Sequence, residues 1–298
     1  MSRLVGAIEA GGTKFVCAVG TGPEDLREEI RYPTTDPDET IGRAVSFFRG
    51  ISEAGGALDG IGIGSFGPVD LRPESPTWGY VTTTPKTGWS DTCFAARVRD
   101  ELQVPVAFDT DVNAAAVGEW RWGAGRGLDA LVYVTVGTGI GGGAVYAGRP
   151  LHGMMHPEMG HLPVPRDTRR DPLESVCPFH ESCLEGLASG PALEARWGRP
   201  PEELPTDHEA WPLEAEYLAL GCVAIALALS PQRIVLGGGV MQRADLFPMI
   251  RRKFRDALGG YLATTPAAEP GTYLVPPELG DRAGVLGALA LGLGEVAD

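Results

Sequence analysis

The stretch LVGAIEAGGTKFVCAVG, residues 4–20, consists of two apolar runs that are separated by the turn GGTK. Both runs are rich in strand-favouring residues, and Gly-Gly is typical of a tight connection, so the pattern predicts a β-hairpin. The same pattern returns at residues 131–148, where LVYVTVG and GGAVYAG flank a second Gly-Thr turn, TGIG. After each hairpin we predict strands that alternate with helices. The sequence therefore predicts an α/β protein with an internal duplication of architecture, mixed sheets and two domains.

The predicted elements divide between two halves. The first half has a third strand at 26–34, a helix that starts at Asp36, buried strands at 60–67 and 105–111 and a helix at about 91–103. The second half has helices at about 209–229 and 244–258, strands at 233–239 and 272–279, and a closing helix. We expect a small N-terminal domain over 1–112, joined by the C-terminal helix 284–298, and a larger domain over 113–283. Ligands are expected in a cleft between the halves.

Composition excludes several classes of protein. The chain of 298 residues carries a net charge of −14 and has no basic patch, which disfavours nucleic acid as a partner. The longest apolar stretch, 218–229, is too short to cross a bilayer, and no signal peptide is visible. The five cysteines are odd in number, and three of them lie in apolar segments, which argues against a disulfide framework. We therefore expect a cytoplasmic protein without a membrane partner.

The Gly-rich turns are candidates for phosphate binding. Glycines allow backbone N–H groups to approach phosphate oxygens, and a threonine hydroxyl adds a donor. Neither EAGGTK (9–14) nor VGTGIGGG (136–143) matches GxxxxGK[ST] or joins a strand to a helix, which excludes Walker A and Rossmann motifs. A tight hairpin turn is the commoner use of Gly-Gly. The occurrence of both turns at corresponding places nevertheless favours a phosphate clamp, and LGGG (236–239) offers a third such turn.

The segment FDTDVN, residues 108–113, places a carboxylate where a buried strand meets a helix. Asp111 can serve as the N-cap of that helix or as a general base, and the residues alone leave these two roles about even. Asp109 can equally be a turn residue.

Four side chains that are typical metal ligands occur together in an otherwise charged, proline-rich loop: His161, Cys177, His180 and Cys183. Four N and S ligands without a water position describe a closed, structural zinc site. A metalloprotease is excluded because HPEMGH spaces its histidines five apart, and a redox Cys-x-x-Cys is absent. His152 and His156 match no ligand position.

Together these motifs resemble those of the ROK family (repressor, open reading frame, kinase) of sugar kinases, in the actin–hexokinase superfamily of ATPases. IEAGGTK resembles the first phosphate motif, VGTGIGGG the second and IVLGGGV the adenosine motif. The resemblance covers residues 4 to about 294 and is closest to the bacterial fructokinase branch, whose first motif carries glutamate where Glu9 stands. It implies a two-domain, actin-like ATPase fold of the ribonuclease H-like kind, with a zinc-clipped loop in the larger domain.

The resemblance also implies ligand roles. For ATP, these are Gly11, Gly12, Thr13, Lys14, Thr138, Gly139, Gly237, Gly238 and Gly239, with Glu9 holding Mg²⁺ through water. TDVN matches the family's N/T-D-x-N, which implies that Asp111 is the base, that Thr110 alters one sugar hydrogen bond, and that Asn113 positions the aspartate or starts the helix. EMGH (158–161) and CLE (183–185) imply that Glu158 and Glu185 accept hydrogen bonds from sugar hydroxyls, while His161 binds zinc and faces the sugar. Gly67 and Pro68 resemble the floor of the sugar cleft, and Lys86 reaches either the phosphate or a surface acid.

The resemblance implies an ATP- and Mg²⁺-dependent hexose kinase, expected to convert D-fructose to fructose 6-phosphate. A preference for glucose, mannose or an N-acetylhexosamine keeps the same fold. A sugar-sensing repressor is the non-enzymatic alternative; it requires an N-terminal helix-turn-helix, whereas the first strand begins at Leu4. Relatives in the family imply a homodimer.

Overall fold

The computed structural model describes residues 3–295 and divides into two compact units. Of these residues, the first unit comprises 3–126, 148–156 and 281–295, and the second comprises 127–147 and 157–280. The strands, in chain order, are β1 (Val5–Ala10), β2 (Lys14–Gly22), β3 (Asp25–Pro33), β4 (Gly60–Ser65), β5 (Tyr80–Val81), β6 (Thr92–Cys93), β7 (Val106–Thr110), β8 (Ala130–Val136), β9 (Ile140–Tyr146), β10 (Arg149–Pro150), β11 (Arg233–Gly237) and β12 (Leu274–Val275). The helices are α1 (Pro37–Glu53), α2 (Ala95–Leu102), α3 (Asp111–Trp122), α4 (Leu184–Ala188), α5 (Gly190–Trp197), α6 (Ala210–Leu229), α7 (Leu246–Leu258), α8 (Pro270–Tyr273) and α9 (Ala283–Glu295).

The first unit is built on a five-stranded mixed sheet with the order β3-β2-β1-β4-β7. β1, β2 and β3 form an antiparallel meander, and β4 and β7 continue the sheet parallel to β1. The predicted helix start at Asp36 is confirmed, because its side chain accepts hydrogen bonds from the N–H groups of Asp38 and Glu39 at the beginning of α1. The parallel order brings the carboxyl ends of β1, β4 and β7 to one edge of this sheet.

Two helices of the first unit, α3 and α9, pack closely on each other and on β4. Glycines make this approach possible: a Cβ at Gly287 of α9 would lie 1.8 Å from the carbonyl oxygen of Ala114 in α3. A Cβ at Gly62 of β4 would lie 1.8 Å from the carbonyl oxygen of Ala288. The start of α3, which carries Asp111, is therefore held by backbone-to-backbone packing.

The second unit repeats this arrangement. Its strands follow the order β9-β8-β11-β12, in which β8 pairs antiparallel with β9 and parallel with β11. β12 is parallel to β11. This is the order of β2-β1-β4-β7 in the first unit, so the predicted α/β fold with a duplicated architecture is confirmed.

In the part of the chain that the structure describes, α6 is long and apolar enough to cross a membrane by length and composition. The helix has the predicted limits, but its apolar window also takes in residues before Leu218 and is therefore longer than the stretch 218–229. Half of the apolar window is buried, and α6 packs against α4, α5 and α7. The core helix of a globular unit has the same properties, so this helix is weak evidence for a membrane span.

Several element and domain limits differ from those predicted. α3 lies in the first unit because it packs against α9 and β4, whereas the predicted limit at 112 assigned it to the larger domain. The helix predicted at 91–103 begins only at Ala95, because Thr92 and Cys93 pair with β5. The strand predicted at 272–279 is reduced to β12, and α8 precedes it. The C-terminal helix is observed to Glu295; residues 296–298 of the prediction lie outside the described part.

Candidate active site and metal cluster

Asp111 is the first residue of α3, directly after β7. The N-cap of the helix is Thr110, whose hydroxyl accepts a hydrogen bond from the N–H of Asn113 at 3.1 Å. Asp111 therefore does not fill the capping role that the sequence left open. One of its carboxylate oxygens accepts from the N–H of Val112 at 2.8 Å, and burial raises the pKa of Asp111 to about 6. A carboxylate with a pKa near neutrality, held at a helix N-terminus, is suited to accept a proton.

Glu9 lies on β1 in the same unit and near the same sheet edge. Burial is the largest influence on its carboxyl group and raises the pKa to about 7, while Lys14 lowers the pKa and Asp111 raises it. The side chain packs over Gly284 of α9, where a Cβ would lie 2.6 Å from the Glu9 carboxyl carbon. A buried carboxyl group whose pKa is raised further by a neighbouring carboxylate is a donor that fits a hydrated divalent cation.

The first Gly-Thr turn, residues 11–14, is closed by a hydrogen bond of 3.0 Å from the Gly11 N–H to the Lys14 carbonyl. Thr34, which directly follows β3, supports it: its hydroxyl donates to the Gly11 carbonyl at 2.7 Å, and its N–H donates to the Thr13 carbonyl at 2.9 Å. The ammonium group of Lys86 donates to the Thr34 carbonyl at 3.2 Å. Lys86 therefore contacts the residue that holds the turn.

The second Gly-Thr turn, residues 138–141, is held by Glu185. The Glu185 Oε2 atom accepts from the N–H of Ile140 at 3.0 Å, and a Cβ at Gly139 would lie 2.7 Å from this same oxygen. The EMGH turn packs on the same strand, because a Cβ at Gly160 would lie 1.7 Å from the Ile140 carbonyl oxygen. The structure thus brings Glu185, the EMGH turn and the second Gly-Thr turn together within the second unit, while Glu158 stays exposed.

Glycine is favoured for different reasons at the three positions at the end of β11, Gly237, Gly238 and Gly239. Gly238 adopts φ 91°, and a Cβ there would lie 2.4 Å from the Val136 carbonyl oxygen. A Cβ at Gly237 would lie 2.4 Å from the Tyr133 hydroxyl. Gly239 has open space around its Cα among the described residues. Packing therefore explains the first two, and Gly239 is the position at which a ligand could approach the backbone.

The four predicted zinc ligands come together in the second unit, with their ligand atoms all within 4.8 Å of one another. The Cys177 Sγ lies 3.5 Å from the His180 Nδ1 and 3.8 Å from the His161 Nδ1, and the Cys183 Sγ lies 3.7 Å from the latter. A tetrahedral zinc with typical Zn–N and Zn–S bonds separates such atoms by about 3.6 Å. The donor set and its spacing therefore fit zinc.

His161 connects this cluster to Glu185. Its Nδ1 atom faces the cysteine sulfurs, and its Nε2 atom lies 4.0 Å from the Glu185 Oε1. A metal-ligating histidine commonly turns its second nitrogen toward a carboxylate, which fixes the ring. The cluster, His161 and Glu185 thus form one continuous arrangement within the second unit.

Two histidines that the sequence analysis left unassigned lie at the first unit's candidate site. The His152 Nε2 lies 2.9 Å from Asp109 Oδ2, and the N–H of Val69 donates to the His156 Nε2 at 3.1 Å. Asn113 donates to Asp109 at 2.8 Å. No local sequence signal indicated these contacts.

Taken together, the duplicated sheets with a Gly-Thr hairpin in each unit define a two-unit α/β protein with the actin-like ATPase fold. The chain belongs to the ROK family, whose model matches residues 5–295. It is 43% identical to the fructokinase of Zymomonas mobilis, over 98% of this chain and 97% of that protein. It is 42% identical to the fructokinase of Pediococcus pentosaceus, over 97% of each. The crystal structure of the ROK hexokinase from Thermus thermophilus superposes with a TM-score of 0.80 at 30% identity, covering 99% of both chains. The predicted family is thereby confirmed.

Proposed function

We propose that this protein is an ATP-dependent fructokinase that phosphorylates the 6-hydroxyl of D-fructose. The observation that carries the proposal is the setting of Asp111, a proton acceptor at a helix N-terminus, in a chain similar over its full length to fructokinases. Glucose, mannose and N-acetylhexosamines are the alternative acceptors.

Asp111 accepts the proton of the hydroxyl group. The 6-hydroxyl oxygen attacks the γ-phosphorus, the bond from that phosphorus to the β–γ bridging oxygen breaks, and ADP leaves. The hydroxyl proton moves to a carboxylate oxygen of Asp111. In phosphoryl transfer, the protein acts mainly by positioning the reactants and stabilising charge. A general base of this kind raises the rate on the order of 10²–10⁴-fold.

The phosphates of ATP are proposed to bind at the two Gly-Thr turns. Backbone N–H groups of Gly11 and Gly12 serve this role in the first unit, with the Thr13 hydroxyl and Lys14 beside them. Thr138 and Gly139 serve it in the second unit, and the turn Gly237, Gly238 and Gly239 is proposed to lie at the adenosine, with Gly239 as the point of closest approach. Glu9 would hold the Mg²⁺ of the nucleotide, which would neutralise charge on the phosphates.

The sugar is proposed to contact residues of the EMGH and CLE motifs, Thr110 and the Gly67–Pro68 loop. Glu158, His161 and Glu185 accept or donate hydrogen bonds to its hydroxyls, and Glu185 has the Oε1 atom for this because Oε2 is engaged by Ile140. Thr110 lies beside the base, and Gly67 and Pro68 shape the floor. His161, Cys177, His180 and Cys183 would hold a structural zinc, which would fix the loop that carries these sugar ligands.

The working state is proposed to be a cytoplasmic homodimer. All five cysteines are unpaired, as expected in a reducing compartment. The dimer is carried over from the family.

A panel of hexoses in a coupled assay for ADP tests the substrate. We expect the kcat/KM for fructose to exceed those for glucose, mannose and the N-acetylhexosamines by at least about tenfold, because a site that hydrogen-bonds particular hydroxyls leaves its polar groups unpaired with a sugar that places them differently. A broader hexokinase is the second candidate, favoured by the similarity to the Thermus thermophilus hexokinase. Comparable kcat/KM values for several hexoses would support that candidate, and ADP release with none of them would refute both.

A further inference from the structure

Residues 148–156, which we call the strap, belong to the first unit although the preceding and following segments belong to the second. The strap begins at Gly148, where a Cβ would lie 3.1 Å from the Trp120 ring of α3. Its tip is a tight turn closed by a hydrogen bond of 3.0 Å from the Gly153 N–H to the Met155 carbonyl. Met154 at this tip is 88% exposed. The strap therefore packs against α3 at its start and is exposed to solvent at its tip.

His156 anchors the end of the strap to the loop at Gly67–Val69. His156 is only 4% exposed, and its Nε2 atom accepts a hydrogen bond from the Val69 N–H at 3.1 Å. The ring packs against Gly67, since a Cβ there would be in van der Waals contact with the His156 Cε1 at 3.4 Å. A buried backbone N–H that bonds to a histidine ring fixes the loop, because breaking the bond leaves the N–H unsatisfied.

His152 anchors the middle of the strap to Asp109. The buried Asp109 carboxylate accepts from the Thr110 N–H at 2.7 Å and from the Asn113 side chain at 2.8 Å through one oxygen. Its other oxygen faces the His152 Nε2 at 2.9 Å. This pairing raises the pKa of His152, and a charged partner makes the hydrogen bond stronger. Asp109 thereby connects His152 to both ends of the first turn that carries Asp111.

We propose that the strap positions the reacting groups of the first unit: His152 orients Asp111 through Asp109, and His156 sets the Gly67–Val69 loop. This inference rests on the proposed function. Neither histidine touches the transferred phosphoryl group in this account, so both are positioning residues. Loss of His152 affects the proton-transfer geometry and therefore kcat. Loss of His156 affects the floor of the sugar site and therefore the KM for fructose.

The test uses four variants of the full chain: His152→Ala, His152→Gln, His156→Ala and His156→Gln. Glutamine can place a polar atom near the position of the histidine Nε2, so it should restore part of each contact. Met154→Ala is the matched control, because it changes the same segment at its exposed tip without touching either anchor. Thermal unfolding accompanies each variant.

We expect His152→Ala to lower kcat by about 10–100-fold, because a small misplacement of a reacting group has an effect of this size. The KM for fructose and the KM for ATP should stay nearly unchanged. We expect His156→Ala to raise the KM for fructose by about tenfold and to leave the KM for ATP unchanged. The glutamine variants should recover most of each effect. General destabilisation would give a different pattern and would overturn the proposal. In that case kcat falls and the KM values for fructose and ATP rise to the same extent, these changes follow the melting temperature, and glutamine restores neither.

Hydrogen exchange of the ligand-free protein provides a readout that does not depend on any substrate. His156→Ala should speed exchange at the Val69 amide, and His152→Ala should speed exchange in the first turn of α3, while Met154→Ala leaves both unchanged. Unchanged exchange in the histidine variants would overturn the strap even in an active kinase. If the wild type phosphorylates no hexose, the proposed function fails on its own, and the exchange result still decides whether the anchors hold these segments.

Discussion

Replacing Cys183 separates its two roles in the second unit. Its Sγ atom faces the His161 Nδ1 at 3.7 Å in the metal cluster, and it also accepts from the Gly186 N–H at 3.3 Å as the N-cap of α4. Serine is a good N-cap but a poor zinc ligand. Cys183→Ser therefore removes the metal site and keeps the helix cap, whereas Cys183→Ala removes both.

The size of the effect follows from the metal. A structural zinc contributes on the order of 10 kcal/mol of folding free energy, and a whole domain is stable by only about 5–15 kcal/mol. The loop between His161 and Cys177 is largely exposed and has little core of its own. We therefore expect Cys183→Ser to lose zinc and the fixed conformation of this loop. The additional loss of the cap in Cys183→Ala costs about 1 kcal/mol more.

Zinc content by mass spectrometry, thermal unfolding and limited proteolysis of the loop measure these effects together. Cys93→Ser is the control, because Cys93 lies in the first unit, on β6, and not in the cluster. It should keep one zinc per chain. Stoichiometric zinc and an unchanged melting temperature in Cys183→Ser would refute the assignment of the four ligands.

Three further predictions concern charge and packing. Because burial raises the pKa of Asp111 to about 6 and the base must be ionised, log kcat/KM should fall with unit slope as the pH decreases below about 6; a flat pH–rate profile there would contradict its role. Gly287→Ala should lower the free energy of unfolding by about 1–3 kcal/mol or more, because its Cβ would meet the Ala114 carbonyl. Gly294→Ala on the same helix is the control: its Cβ would meet nothing within 4 Å, so this change should be neutral or stabilising by about 0.5–1 kcal/mol. Glu214 is buried in α6, neither of its carboxylate oxygens has a hydrogen-bond partner in the described residues, and burial raises its pKa well above the usual value of 4.5. The folded state then binds the extra proton, so stability should fall as the pH rises above about 4.5, and urea unfolding of Glu214→Gln should show a flatter dependence.

The sequence predicted those features that depend on local patterns. Each hairpin combines strand-favouring runs with a Gly-Thr turn inside a short segment, and the start of α1 at Asp36 follows from its own capping residues. The clustering of His161, Cys177, His180 and Cys183 was also predictable, because histidines and cysteines are rare in this chain and occur together in one loop.

Contacts between distant segments were not predictable. α3 belongs to the first unit because glycines of α9, far along the chain, allow close packing against it. His156 and Val69 are 87 residues apart, and His152 and Asp109 are 43 apart, so no motif joins them. Glu185 was assigned to the sugar by resemblance, yet one of its oxygens holds the N–H of Ile140, 45 residues away.

The central claim is that Asp111 is the base of a fructose kinase, and turnover of Asp111→Asn tests it most directly. The asparagine oxygen can still accept from the Val112 N–H, so the variant should fold with the wild-type melting temperature. It should bind fructose in calorimetry with nearly the wild-type Kd. We expect its rate of fructose 6-phosphate formation to fall by about 10²–10⁴-fold. A rate close to that of the wild type would contradict it.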